Sequence, residues 1–178
     1  DLDRSLALAE KARGLQDNTL TKTTVAQILL GKGDVPRSQK ILEEAVEKDS
    51  RAVPSRILLA KIYLQKNNPQ KALDTLDVLI KNIPRRPDVA VPAAQAYLMK
   101  GDLVKARGLV EKSLEENKGN VLLHVMNAKI LFSEGKYKDT LSEIDLLAKN
   151  SFATPETMYI GALSAFKLGQ TDKAASLV

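Results

Sequence analysis

The residues that could do chemistry are few, and they do not form a site. His124 is the single histidine in 178 residues, and there is no cysteine. A metal centre built on imidazole or thiolate needs further ligands of those types, so His124 is expected to be a packing or surface residue. The carboxylate pairs Glu43-Glu44 and Glu115-Glu116 fall on outer helix faces and read as solvated charge. Gly31-Lys32-Gly33 is glycine-rich but follows no strand, so it is a helix end rather than a phosphate loop. Arg85-Arg86 sits between Pro84 and Pro87 and reads as a solvated loop, with an acidic-partner docking site as the alternative. No catalytic constellation remains, and the chain is expected not to be an enzyme and to need no cofactor or metal.

Composition narrows the class further. Hydrophobic residues make up 44%, enough to bury a core, while aromatics are only 4% and Trp is absent. That balance suits close-packed helices rich in Ala and Leu better than sheets. The net charge is +5, from 27 basic and 22 acidic residues spread along the chain. Nucleic-acid binding calls for a concentrated basic stripe with stacking aromatics, and none is present. No apolar run approaches the roughly 18 residues of a membrane span. The opening DLDRSLALAE shows neither a signal peptide nor an initiator Met.

The elements that must carry any function come from an internal repeat. Ala26, Ala60, Ala94, Ala128 and Ala162 recur every 34 residues. In step with them run Gly33, Asn67, Gly101, Gly135 and Gly169, residues that tolerate the positive φ of a helix end. A second small column reads Ser38, Ala72, Ala106, Thr140, Ala174. Apolar columns follow at Leu42, Leu76, Val110, Ile144, Val178 and at Ala45, Leu79, Ser113, Leu147. A bulky column reads Leu29, Tyr63, Tyr97, Leu131, Ala165. Steps of three and four place each set on one helical face.

These columns predict helices at 3–15, 20–31, 36–48, 54–66, 69–82, 88–100, 103–117, 121–133, 137–149, 155–168 and 172–178. The first presents Leu6, Ala9 and Ala12 inward. Asp34, Asn68-Pro69, Asp102 and Thr154-Pro155 supply start signals. Pro92 falls about one turn inside its helix, so a bend or a late start is expected there.

The segments Ile57–Pro84 and Ala93–Asn117 closely resemble tetratricopeptide repeats, and the resemblance covers nearly the whole chain. It implies an all-α, right-handed superhelical solenoid of helix-turn-helix repeats with about 11 helices. The 1–178 array then divides into a leading helix at 3–15, repeats at 19–52, 53–86, 87–120 and 121–154, and a partial repeat at 155–178. Two departures stand out. The bulky aromatic near the start of each first helix is replaced by Lys22, Arg56, Ala90, His124 and Met158, and the closing Pro appears in register only as Pro84. Looser packing at the outer ends of the first helices is the expectation. Neither end carries a polar capping helix, which points to a segment of a longer chain whose exposed array ends can self-associate.

The resemblance also implies a concave groove lined by first helices, binding a protein or peptide. Read by position, a polar row holds Gln27, Lys61, Gln95 and Lys129, then Leu163. A largely β-branched row holds Thr23, Ile57, Val91, Val125 and Tyr159. An apolar row holds Leu30, Leu64, Leu98, Phe132 and Phe166, with packing between repeats as its alternative role. Apolar side chains beside Lys61 and Lys129 point to an acidic or amphipathic peptide, with Phe132, Tyr159 and Phe166 as anchors. Co-chaperones of this family that hold a C-terminal carboxylate use Lys and Asn on one first helix, with Lys and Arg on later ones. Thr23, Gln27, Ile57 and Lys61 occupy the matching places, so that clamp is missing. More narrowly, the repeats resemble long bacterial proteins of envelope assembly, among them lipoproteins linked to exopolysaccharide export and PEP-CTERM sorting. A periplasmic or envelope location is the corresponding expectation, with the cytoplasm as the alternative. The alternative function is a regulatory module of a larger enzyme or transcription regulator. A nucleic-acid role is testable directly: no salt-dependent RNA or DNA binding is expected in a filter assay at moderate ionic strength, and its appearance would overturn the charge argument.

Overall fold

Alternating start and stop signals cut the chain into short helices. The structure, a computed structural model, describes residues 1–49 and 51–177. Among these it contains eleven helices and no strand: α1 Leu2–Leu15, α2 Thr19–Gly31, α3 Val35–Lys48, α4 Val53–Gln65, α5 Pro69–Asn82, α6 Pro87–Met99, α7 Leu103–Glu116, α8 Val121–Ser133, α9 Tyr137–Lys149, α10 Pro155–Lys167 and α11 Thr171–Ser176. Each begins within one residue of its expected start. The expected last helix ran to Val178, which lies outside the described residues.

The starts have the chemistry the sequence indicated. Asp34 and Asp102 accept from the N–H groups of Arg37 and Lys105, at 3.2 and 3.1 Å, and Asn68 Oδ1 accepts from Lys71 N–H at 3.1 Å. Asn18 and Thr154 close full capping boxes. The stops repeat one motif. Gly33, Gly101, Gly135 and Gly169 take φ between 73° and 80°, and Asn67 takes 54°. The next residue in each turn donates back to the bulky column: Asp34 to Leu29 O, Asn68 to Tyr63 O, Asp102 to Tyr97 O, Lys136 to Leu131 O and Gln170 to Ala165 O, all at 2.8–2.9 Å. Each is the six-residue closure that satisfies carbonyls left open at a helix end.

Two expectations are corrected. α6 does not start late: it begins at Pro87 and continues through Pro92 to Met99. Pro92 lies in the second turn, where the missing N–H removes a single bond, to the Asp88 carbonyl, and the rest of the ladder persists. On α1, Ala9 is buried and Leu6 packs on the core, but Ala12 is exposed. The inner stripe continues four residues after Ala9 to Arg13, which pairs with Glu10 at 3.4 Å.

The chain forms two units, Asp1–Asn82 and a second from Ile83 onward. In the first, α2 packs on α1, α3 and α4, and α4 on α3 and α5. Its core gathers Val25, Ala26, Leu29, Leu42, Leu59 and Ile62. In the second, α8 packs on α6, α7, α9 and α10, around Ala94, Ala106, Val110, Leu123 and Ile130, with a further cluster of Ala128, Ile144 and Leu147. Ala26, Ala60, Ala94 and Ala128 have no exposed surface. Polar members of the small columns are satisfied: Ser38 Oγ donates to Ala26 O at 2.9 Å, and Thr140 Oγ1 to Lys136 O at 2.9 Å.

The slot that lacks its aromatic is filled rather than loose in the first three repeats. Lys22, Arg56 and Ala90 are buried there. Lys22 Nζ reaches Asp17 and Glu44, each at 3.3 Å, and Arg56 donates to Thr75 O at 2.9 Å. Recesses of about 150 and 510 Å³ lie beside His124 and Met158.

Two stability tests follow, both by urea unfolding of the chain. Gly135→Ala meets no atom within 4 Å, so its loss is conformational and is expected at about 1 kcal/mol, whereas Asn67→Gly leaves stability unchanged or raised. Around Lys22 the acids are half-exposed and the ammonium is buried. Asp17→Asn with Glu44→Gln strands that charge and is expected to destabilise the chain more than Lys22→Met does. The reverse order would show that Lys22 is solvated.

Candidate interaction surface

Each first helix has one side against its neighbours and one side toward solvent, and burial sorts the three expected rows. In the first unit, Thr23, Ile57 and Leu64 are buried. Thr23 Oγ1 lies 2.6 Å from Ser55 Oγ of α4 and donates to Thr19 O at 2.6 Å. Leu30 is half-buried and packs on the core. Thr23 holds α2 against α4, and Ile57 and Leu64 are enclosed; what faces solvent is Gln27 and Lys61. Lys61 makes no ion pair among the described residues.

In the second unit, Val91 and Leu98 are half-buried against the α6–α8 core, and Val125 packs against the Ala128 cluster. Phe132 is half-buried, edge-on to Tyr137 with ring centroids 5.8 Å apart. Gln95 is exposed, and so are Tyr159 at 62% and Phe166 at 65%. Lys129 is not a free cation: its Nζ lies 2.7 Å from Glu156 of α10. The structure therefore keeps Gln27 and Lys61 in one unit, and Gln95, Tyr159 and Phe166 in the other, as outward-facing members of the predicted set.

Position-based reading missed Leu20 and Leu122, 75% and 62% exposed. Each lies seven residues, about two turns, before a member of the polar row, Gln27 and Lys129, and so shares its helix face. That interval was the available signal. Met99, at the end of α6, is also exposed.

Other candidate groups are accounted for. Arg85 pairs with Glu115 and Glu116 at 3.3 and 2.5 Å, and Arg86 with Asp88 at 2.6 Å, so the Arg pair is neutralised locally rather than held ready for a partner. His124 is half-buried between Glu143 Oε2 at 2.8 Å and Lys118 O at 2.7 Å. Among the described residues no group of three or more His, Cys, Asp or Glu could hold a metal ion, and no helix is long and apolar enough to cross a membrane.

Comparison with known proteins agrees with this architecture. Residues 29–96 match the tetratricopeptide repeat family model. The chain is 24% identical over 134 residues to the human protein O-mannosyl-transferase TMTC1, a match covering 75% of this chain but spanning only 15% of that protein. PilW, a type IV pilus biogenesis factor, superposes with a TM-score of 0.86 at 14% identity, over 99% of this chain and 83% of its own. YrrB, a tetratricopeptide protein described as having an unusual peptide-binding site, gives a TM-score of 0.72 at 15% identity, over 95% and 88%. Residues 29–96 match the tetratricopeptide repeat family in sequence, and the chain is similar in fold to solved proteins such as PilW and YrrB.

Proposed function

We propose that this chain is a non-catalytic scaffold whose first-helix faces bind a protein or peptide. The observation that carries the reading is the large apolar surface left in solvent on those helices: Leu20 on α2, Leu122 on α8, and Tyr159 and Phe166 on α10. None of the four belongs to the packed clusters of either unit, and Tyr159 borders the recess beside Met158. They stand among amide and lysine side chains, a mixture suited to a partner with apolar anchors and hydrogen-bonding backbone. The peptide-binding site named for YrrB, a structure of the same fold, supports the reading.

The partner is an acidic or amphipathic peptide. Lys61 supports this as an exposed cation without an ion pair among the described residues. Lys129 contributes less, because Glu156 already neutralises it. The biological setting is envelope assembly or exopolysaccharide export in bacteria. The wording of the repeats supports it, and so does the pilus-biogenesis role named for PilW.

A pull-down with the chain identifies the partner, and isothermal titration then measures it. Tyr159→Ala with Phe166→Ala is expected to remove about 2 kcal/mol or more of binding, roughly thirtyfold in affinity, with helical content unchanged. Lys61→Glu weakens an acidic partner and leaves stability intact. Unchanged affinity in both variants would move the site off the first helices.

A further inference from the structure

The slot that lacks its aromatic holds a basic side chain in three repeats, and in one of them it is a histidine, whose ring can exchange a proton in the physiological range. His124 of α8 is 16% exposed at its side chain. Its Nδ1 lies 2.8 Å from Glu143 Oε2 of α9, and its Nε2 lies 2.7 Å from the Lys118 carbonyl in the turn preceding α8. A carboxylate and a carbonyl can only accept. A neutral imidazole has one N–H and satisfies one of them; an imidazolium satisfies both. Glu143 is itself held in place, its Oε1 accepting from Asn127 Nδ2 at 2.8 Å.

The corresponding contact in the first unit has no such dependence. Arg56 reaches Thr75 O, 19 residues on, the same separation as His124 to Glu143. A guanidinium does not lose its proton in this range. Under the His124 turn lies a recess of about 150 Å³ bordered by Gly119, Val121, Leu147 and Phe152. A turn that lifts here widens existing space rather than breaking a packed core.

Charges on the surrounding elements leave Glu143 as the group that acts on the ring. Asp88 on α6 pairs with Arg86, Glu115 and Glu116 at the end of α7 with Arg85, Asp145 on α9 with Lys173, and Glu156 on α10 with Lys129. Glu111, Lys112, Asp139 and Lys149, on α7 and α9, are exposed and make no ion pair with the ring. We propose that His124 is a proton-operated latch: with both ring nitrogens protonated it ties the turn at residues 117–120 to α9, and loss of one proton frees the turn.

Burial lowers the ring's affinity for its proton, but the Lys118 carbonyl and the Glu143 carboxylate outweigh it, leaving the ring above its ordinary 6.5. A raised native value means the stabilisation is complete below the unfolded value and disappears as pH rises through the native one. The latch therefore opens on the alkaline side.

Imidazole nitrogen NMR on the full chain, paired with amide exchange at Asn117 and Asn120 corrected for the intrinsic pH effect, tests this. The expected result is a doubly protonated ring persisting above pH 6.5, with protection of the two amides falling severalfold as it titrates, while Gly101 in the α6–α7 turn stays unchanged. Glu143→Gln shifts both transitions to lower pH, and His124→Gln leaves the turn weakly protected at every pH. If His124→Gln does not fold, the Glu143→Gln shift carries the test. A ring titrating at or below 6.5 would overturn the proposal, as would turn protection indifferent to that titration or a wild-type profile in either variant.

Discussion

Close approach of helix backbones at one small residue per first helix is the constraint on which the rest of the structure depends. Ala26, Ala60, Ala94 and Ala128 are wholly enclosed. A methyl at that point lets neighbouring axes come near the short end of the usual 8–10 Å, and the bulkier columns then close the flanks. Leu29, Leu42, Leu76, Val110 and Ile144 fill those flanks with almost no exposed surface. No single hairpin could do this, because its apolar face needs a neighbour's cover. The same constraint determines what remains for function: whatever a first helix does not turn toward its neighbours is left in water, and there Tyr159 and Phe166 stand.

The hairpins are locked by unequal means. Where related repeats use a broad aromatic, this chain uses Lys22, Arg56 and His124, each bonded to the second helix of its own hairpin. Dispersion over a flat ring is replaced by directional, charge-assisted hydrogen bonds. The exchange brings a desolvation cost and, at His124, a dependence on the protonation of the ring, which an aromatic lock does not have. Ala90 is the exception, a small side chain that leaves no exposed surface in its slot. These bonds act within each hairpin, whereas the alanines act between elements.

Much of the fold was legible because it rests on local rules. The left-handed residues of the hairpin turns are visible as Gly or Asn at a fixed interval, and the caps of α3, α5, α7 and α10 as Asp, Asn or Thr before the start. Periodicity also identifies which side of a helix faces inward. It does not tell how far a neighbouring helix reaches around that side. Thr23 and Ile57 were placed on the groove by helical register, and Leu64 with packing between repeats as its alternative role, yet all three are enclosed. Ala12 failed in the opposite direction, the stripe on α1 stepping by four rather than three after Ala9. Contacts between distant residues were invisible altogether. Nothing in the repeat pattern foretells that Glu156 occupies Lys129, or that Glu143 and a backbone carbonyl meet His124. Pro92 suggested a bend or a late start only because its lost hydrogen bond was given more weight than the bonds around it.

The central claim is that the first-helix faces are the working surface. Site-specific photocrosslinking in the full-length protein tests it most directly, with a crosslinking residue placed in turn at Gln95 and Phe166 on first helices and at Val104 and Ser142 on second helices, all four exposed. The account predicts one discrete protein adduct from Gln95 and Phe166 and none from Val104 or Ser142. Adducts from the second-helix positions alone would contradict it.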